Sequence, residues 1–147
     1  MTKSYEFVTL DVFTDRRFGG NPLAVVADAR GLDTPTMQAL AGEFNLSETT
    51  FVLPPDDPGH TAKVRIFTPS AEIGFAGHPN IGTAWMLAAK GLDTNGRLTL
   101  EGGSGLVEID VERDRGELRM CRLMTPQVLR LSAAPNAAEL APCAGLD

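Results

Sequence analysis

Cysteine is almost missing from this sequence. Cys121 and Cys143 are its only two, and they lack the C-x-x-C spacing of a zinc site or redox pair, so neither a metal centre nor a disulfide framework is expected and both read as structural thiols. Basic side chains are outnumbered, with 13 Lys and Arg against 19 Asp and Glu for a formal charge of -6. Binding to a phosphate backbone needs clustered cations, so nucleic acid is excluded as the expected partner. Long apolar runs are absent as well: none approaches the roughly 20 residues that span a bilayer. The opening "MTKSYEF" is too polar for the core of a secretory signal. A soluble, cytoplasmic chain with no membrane partner is expected. Catalytic signatures are equally scarce. There is no G-x-S-x-G and no H-E-x-x-H, and Gly102-Gly103-Ser104-Gly105 lacks the lysine of a phosphate loop and suits a hairpin turn. No cofactor is implied.

What remains is an ordinary globular composition, 43% hydrophobic and 22% charged over 147 residues, enough for one domain with its own core. "YEFVTLDVF" (5–13) alternates as a strand, "GGNP" turns the chain, and "LAVVAD" (23–28) reads as its hairpin partner. Thr34 can cap a helix with Pro35 at its first position. Met37, Leu40, Ala41 and Phe44 share one helical face, and Asn45 can close the helix in a left-handed conformation. "ETTFVL" (48–53) and "TAKVRIFTP" (61–69) are strands, and a period of two puts Glu48, Thr50 and Val52 on one face, opposite Phe51 and Leu53. "RLTLEGG", "LVEIDVE" and "ELRMCRL" form an antiparallel meander.

The stretch "PNIGTAWMLAAKG" (79–91) differs in kind. It carries no charge from Pro79 to Ala89 and is apolar all round, so it is expected to be a buried helix with Pro79 first and Gly91 ending it. These elements imply an α+β domain in which an antiparallel, barrel-like sheet curls around that helix.

Two places carry chemistry. Glu48 stands where a strand begins, and a carboxylate entering an interior must be hydrogen-bonded or neutralised. His78 falls at the cap of the apolar helix after Gly77, where free N–H groups and the positive helix end suit an anion and favour a neutral imidazole. If the two converge at the sheet rim, a partly buried carboxylate can take a proton from carbon and return it elsewhere on the same molecule. The plainer readings stay open: a solvated strand end for Glu48, a helix cap for His78, a turn former for Asn21, and local backbone bonding for Ser47.

Together, "DVFTDRRFGGNPLAVV", "LAGEFNLSETTFVL" and "VRIFTPSAEIGFAGHPNIGTA" resemble the PhzF-like family of phenazine-biosynthesis isomerases and epimerases, related in fold to diaminopimelate epimerase. The resemblance spans residues 7 to 90. It implies one lobe of a two-lobed enzyme whose glutamate, here Glu48, moves a proton between carbons of a cyclic, carboxylate-bearing substrate without a cofactor. Gly77 and His78 then bind that small anionic metabolite, with Ser47 and Asn21 near it. The second lobe of the family carries a D-x-A-T-G-S-A-like segment that nothing here matches. Residues 1–131 are therefore expected to form the first lobe, and 132–147 to resemble the opening of a second one. A lone lobe would expose apolar surface and is expected to form a homo-oligomer or recruit a second chain. The alternative is an inactive lobe that binds a metabolite or a partner.

Overall fold

The structure, a computed structural model, describes residues 3–125, 133 and 135–145. Its main feature is an eight-stranded sheet: β1 (Phe7–Val12), β2 (Asn21–Val26), β3 (Glu48–Leu53), β4 (Ala62–Phe67), β5 (Glu72–Ile73), β6 (Arg97–Gly102), β7 (Gly105–Asp114) and β8 (Glu117–Leu123). Helix α1 (Thr34–Phe44) joins β2 to β3, and α2 (Gly77–Ala89) precedes β6. The strands run in the order β1-β2-β3-β4-β6-β7-β8, with the short β5 beside β4. Both terminal strands, β1 and β8, pack on α2, so the sheet curls around that helix. This is the α+β, barrel-like lobe expected from the sequence.

Two junctions depart from a purely antiparallel meander. β2 pairs with β3, and β4 with β6, in parallel. Each is a crossover in which an intervening helix returns the chain, as parallel pairing requires. The consequence matters: β2 and β3 start at the same rim, with Leu23 opposite Glu48.

The alternation in β3 divides two cores. Val52 joins Leu23, Val25, Val64, Ile66, Leu98, Leu100, Val107 and Ile109 around α2. Phe51 faces the other way, with Met37 and Ala41 of α1 and with Phe67, whose ring it meets edge-on at 5.3 Å. The α1 cap lies one residue earlier than expected: the Asp33 carboxylate accepts from the Thr36 N–H at 2.9 Å, so Thr34 is the first helical residue. Aspartate accepts from the free first-turn amides at least as well as threonine. Asn45 closes the helix in the left-handed region at φ 50°, as expected.

Helix α2 starts at Gly77, two residues before Pro79. The reason is local. The first-turn N–H groups have no partner inside a helix, so a proline at the third position costs no hydrogen bond. At the other end the Arg113 guanidinium donates to the Ala88 carbonyl at 2.8 Å and pairs with Asp93, placing a cation on the negative helix terminus. Cys121 is buried, as a structural thiol should be, and burial pushes it up to about 11; Cys143, by contrast, is exposed. Beyond β8, Ala137–Leu140 form one helical turn with a capping box between Asn136 and Glu139. The expected boundary between residues 131 and 132 lies outside the described residues.

Candidate active site

Three chain segments meet at one rim of the sheet: the starts of β2 and β3 and the first turn of α2. Glu48 opens β3 on its inward face, and His78 is the second residue of α2 rather than its cap, which is Ala76. His78 Nε2 lies 3.3 Å from Glu48 Oε2, with side-chain exposures of 8% and 17%. The two segments that the sequence could only suggest as neighbours are in contact.

The contact has the distance of an ion pair without the alignment of a hydrogen bond, so both atoms are buried and without a hydrogen-bond partner. Such orphaned polar atoms are costly, and each calls for an explanation, a catalytic role among them. Burial is the largest influence on His78 and lowers its pKa; the Glu48 carboxylate and the Pro22 carbonyl act the other way without overcoming it. The ring is therefore neutral near pH 7 and can accept or donate one proton.

The weaker candidates also gather here. Ser47 Oγ donates to Asn21 Oδ1 at 3.3 Å, and both residues are exposed on the solvent side of the pair. Gly77 borders open space, since a side-chain carbon added there would meet nothing within 4 Å. Ligand atoms can thus approach the free first-turn amides closely. The remaining buried polar group of that turn, Asn80, is occupied in holding the Ala76 carbonyl at 2.9 Å.

Elsewhere, His60 is a loop residue whose Nδ1 lies 2.8 Å from Glu101, and it takes no part in this site. No group of three or more metal-binding side chains occurs among the described residues. Sequence reasoning overlooked Pro22, whose carbonyl faces His78, and the buried hydroxyls of Thr50 and Thr83 behind the pair. Thr83 had a legible signal, as the hydroxyl in the middle of an otherwise apolar helix.

Fold and site define a class: a half-barrel lobe presenting a carboxylate and a neutral imidazole beside a helix N-terminus. The model of the phenazine biosynthesis-like (PhzC-PhzF) family matches residues 10–145, and the chain belongs to that family. It is 50% identical over 136 residues to an uncharacterised isomerase of Mesorhizobium japonicum, covering 89% of this chain and 44% of that protein. It is 43% identical over 122 residues to the trans-2,3-dihydro-3-hydroxyanthranilate isomerase of Pseudomonas aeruginosa, covering 83% and 43% respectively. Among solved structures, a PhzF-family protein of Bacillus anthracis superposes with a TM-score of 0.70 at 32% identity, over 78% of this chain and 38% of that one. The chain spans less than half the length of the curated relatives it matches.

Proposed function

We propose that this chain forms the proton-transferring lobe of an isomerase acting on a small carboxylate-bearing metabolite, of the dihydro-ring acid type named for its Pseudomonas aeruginosa relative. The observation that carries the reading is the buried Glu48–His78 contact at 3.3 Å, open on its far side toward Gly77, Ser47 and Asn21. The substrate carboxylate occupies the first turn of α2, where N–H groups and the helix dipole favour an anion. Glu48 takes a proton from a ring carbon. The electron pair left behind spreads into the conjugated system of the substrate, and the protonated Glu48, free to exchange its proton with solvent, returns one at another carbon, so atoms and charge balance without a redox partner or cofactor. His78 borders the carboxylate and shields one oxygen from water, and Gly77 gives the ligand access to backbone.

Solvent exchange tests this directly. Candidate cyclic acids incubated in deuterated water with the chain should gain carbon-bound deuterium, and Glu48→Gln should reduce the rate by about 10²- to 10⁴-fold, the usual contribution of a positioned proton carrier. Equal exchange by both proteins sinks the proposal. A second reading rests on the open space beside Gly77 at the free first-turn amides of α2: a lobe that binds the metabolite without turning it over. It predicts a thermal shift with the acid and no deuterium incorporation. An exposed, unpaired Cys143 favours a reducing compartment, in keeping with a cytoplasmic setting.

A further inference from the structure

Behind the Glu48–His78 contact lies a second link between the same strand and the same helix. Thr50 Oγ1 and Thr83 Oγ1 are 2.8 Å apart, and both residues are completely buried. Thr50 is the next inward-facing residue of β3 after Glu48, about 6.6 Å along the strand. Thr83 follows His78 by five helical residues, about 7.5 Å along the axis. The steps nearly match, and both links run in the same order. β3 and α2 are therefore joined by two rungs, one at the site and one beneath it, although five residues also turn the helix by about 140°, so that His78 and Thr83 leave α2 on different sides and share β3 as their common partner.

The rungs are not equivalent. The upper one is a pair of orphaned atoms that holds nothing together. The lower one is a formed hydrogen bond inside an apolar cluster that includes Val52, Ala84 and Leu87. A helical threonine usually turns its hydroxyl back onto its own helix; Thr83 reaches across instead. Two oxygens at 2.8 Å approach about 1 Å closer than two methyl groups can. We infer that the Thr50–Thr83 hydroxyl bond draws β3 and α2 together and thereby sets the separation of the Glu48 carboxylate from the His78 ring. This makes the two threonines positioning residues, an assignment that rests on the proposed role of Glu48 and His78.

The test reads the pair itself rather than turnover. The ring titration of His78 is followed by NMR in the 147-residue chain and in its Glu48→Gln variant, and the difference between the two midpoints measures the coupling. The groups acting on the ring are the Glu48 carboxylate and the Pro22 carbonyl, so removing the charge isolates the first. The pair of measurements is then repeated in Thr50→Val/Thr83→Val and in Thr50→Ser/Thr83→Ser. With both hydroxyls replaced, no unpaired group remains and the fold should persist, but the coupling should shrink by about a quarter or more, because the interaction weakens as the separation grows from 3.3 Å toward about 4.3 Å.

The serine pair should do the opposite, keeping the coupling while melting earlier for want of two buried methyl groups. If the valine pair does not fold, Thr50→Ala/Thr83→Ala removes both hydroxyls without adding bulk or leaving one unpaired, and the coupling should again fall below that of the unaltered chain. Undiminished coupling in the valine pair, or lost coupling in the serine pair, overturns the positioning role and leaves the proposed function standing. No effect of Glu48→Gln in the otherwise unaltered chain overturns both.

Discussion

His78 is a base placed where its charged form is disfavoured. In an unfolded chain an imidazole titrates near 6.5, whereas burial lowers the value for the folded ring. Between those two values the unfolded state binds more protons, so stability falls as pH drops through the window and is unaffected by this group above it. Denaturation midpoints measured from pH 7.5 downward should decline below about 6.5, and His78→Gln should decline less steeply. An identical slope in both would show that the ring is not held neutral. Glu48 itself was legible as an oddity, because a carboxylate at the head of an apolar strand needs a reason. Its partner was legible only as a residue type. No local pattern states that a helix thirty residues later places an imidazole against it.

At the scale of elements, Gly82 shows how closely α2 seats in the sheet. A methyl group there would come within 2.6 Å of Leu23 and 2.8 Å of Val12, side chains that are themselves buried. Overpacking costs about 1–3 kcal/mol, and alanine recovers about 1 kcal/mol of helix propensity. Gly82→Ala should therefore lose up to about 2 kcal/mol in urea unfolding, and a gain in stability would contradict this seating.

The loop between β3 and β4 is fastened by one carboxylate. Glu101 accepts from the Asp56 and Asp57 amides at 2.8 and 2.9 Å and lies beside His60, and these contacts hold its carboxyl down to about 2. The stability it contributes is present above its ordinary value of 4.5 and disappears as pH falls toward about 2. Glu101→Ala should expose the Asp56 and Asp57 amides to rapid hydrogen exchange at neutral pH, and unchanged protection would rule out this anchor. All the strands but the two-residue β5, and both main helices, were readable from period and punctuation. The start of α2 was not, because Pro79 is compatible with the first and third positions alike.

For the whole molecule, the curled sheet leaves a seam. Between β1 and β8, over Ile81, Gly82 and Trp85 of α2, runs a trench of about 720 Å³. Phe13 on its edge is 73% exposed and Phe18 in the same loop 93%, both in left-handed backbone that bulky residues seldom adopt. Asp11 and Val12 of this trench pair with Pro22 and Asn21, so it adjoins the candidate site through one strand. Exposed aromatics around an apolar groove normally acquire a partner, and we propose a second copy of the chain. Sedimentation should show concentration-dependent association at micromolar concentrations, and Phe13→Ser should shift it toward monomer. A monomer throughout that range would refute this.

The chain's own order of residues determined its strands, its apolar helix and its oddly placed carboxylate, because periodicity, capping and turn chemistry act over a few neighbouring positions. Only the tertiary structure decided that β2 and β3 start at a common rim, that His78 meets Glu48, and that Thr50 bonds to Thr83. Those are distances across the core, set by how the sheet closes on α2, and no local run of letters encodes them.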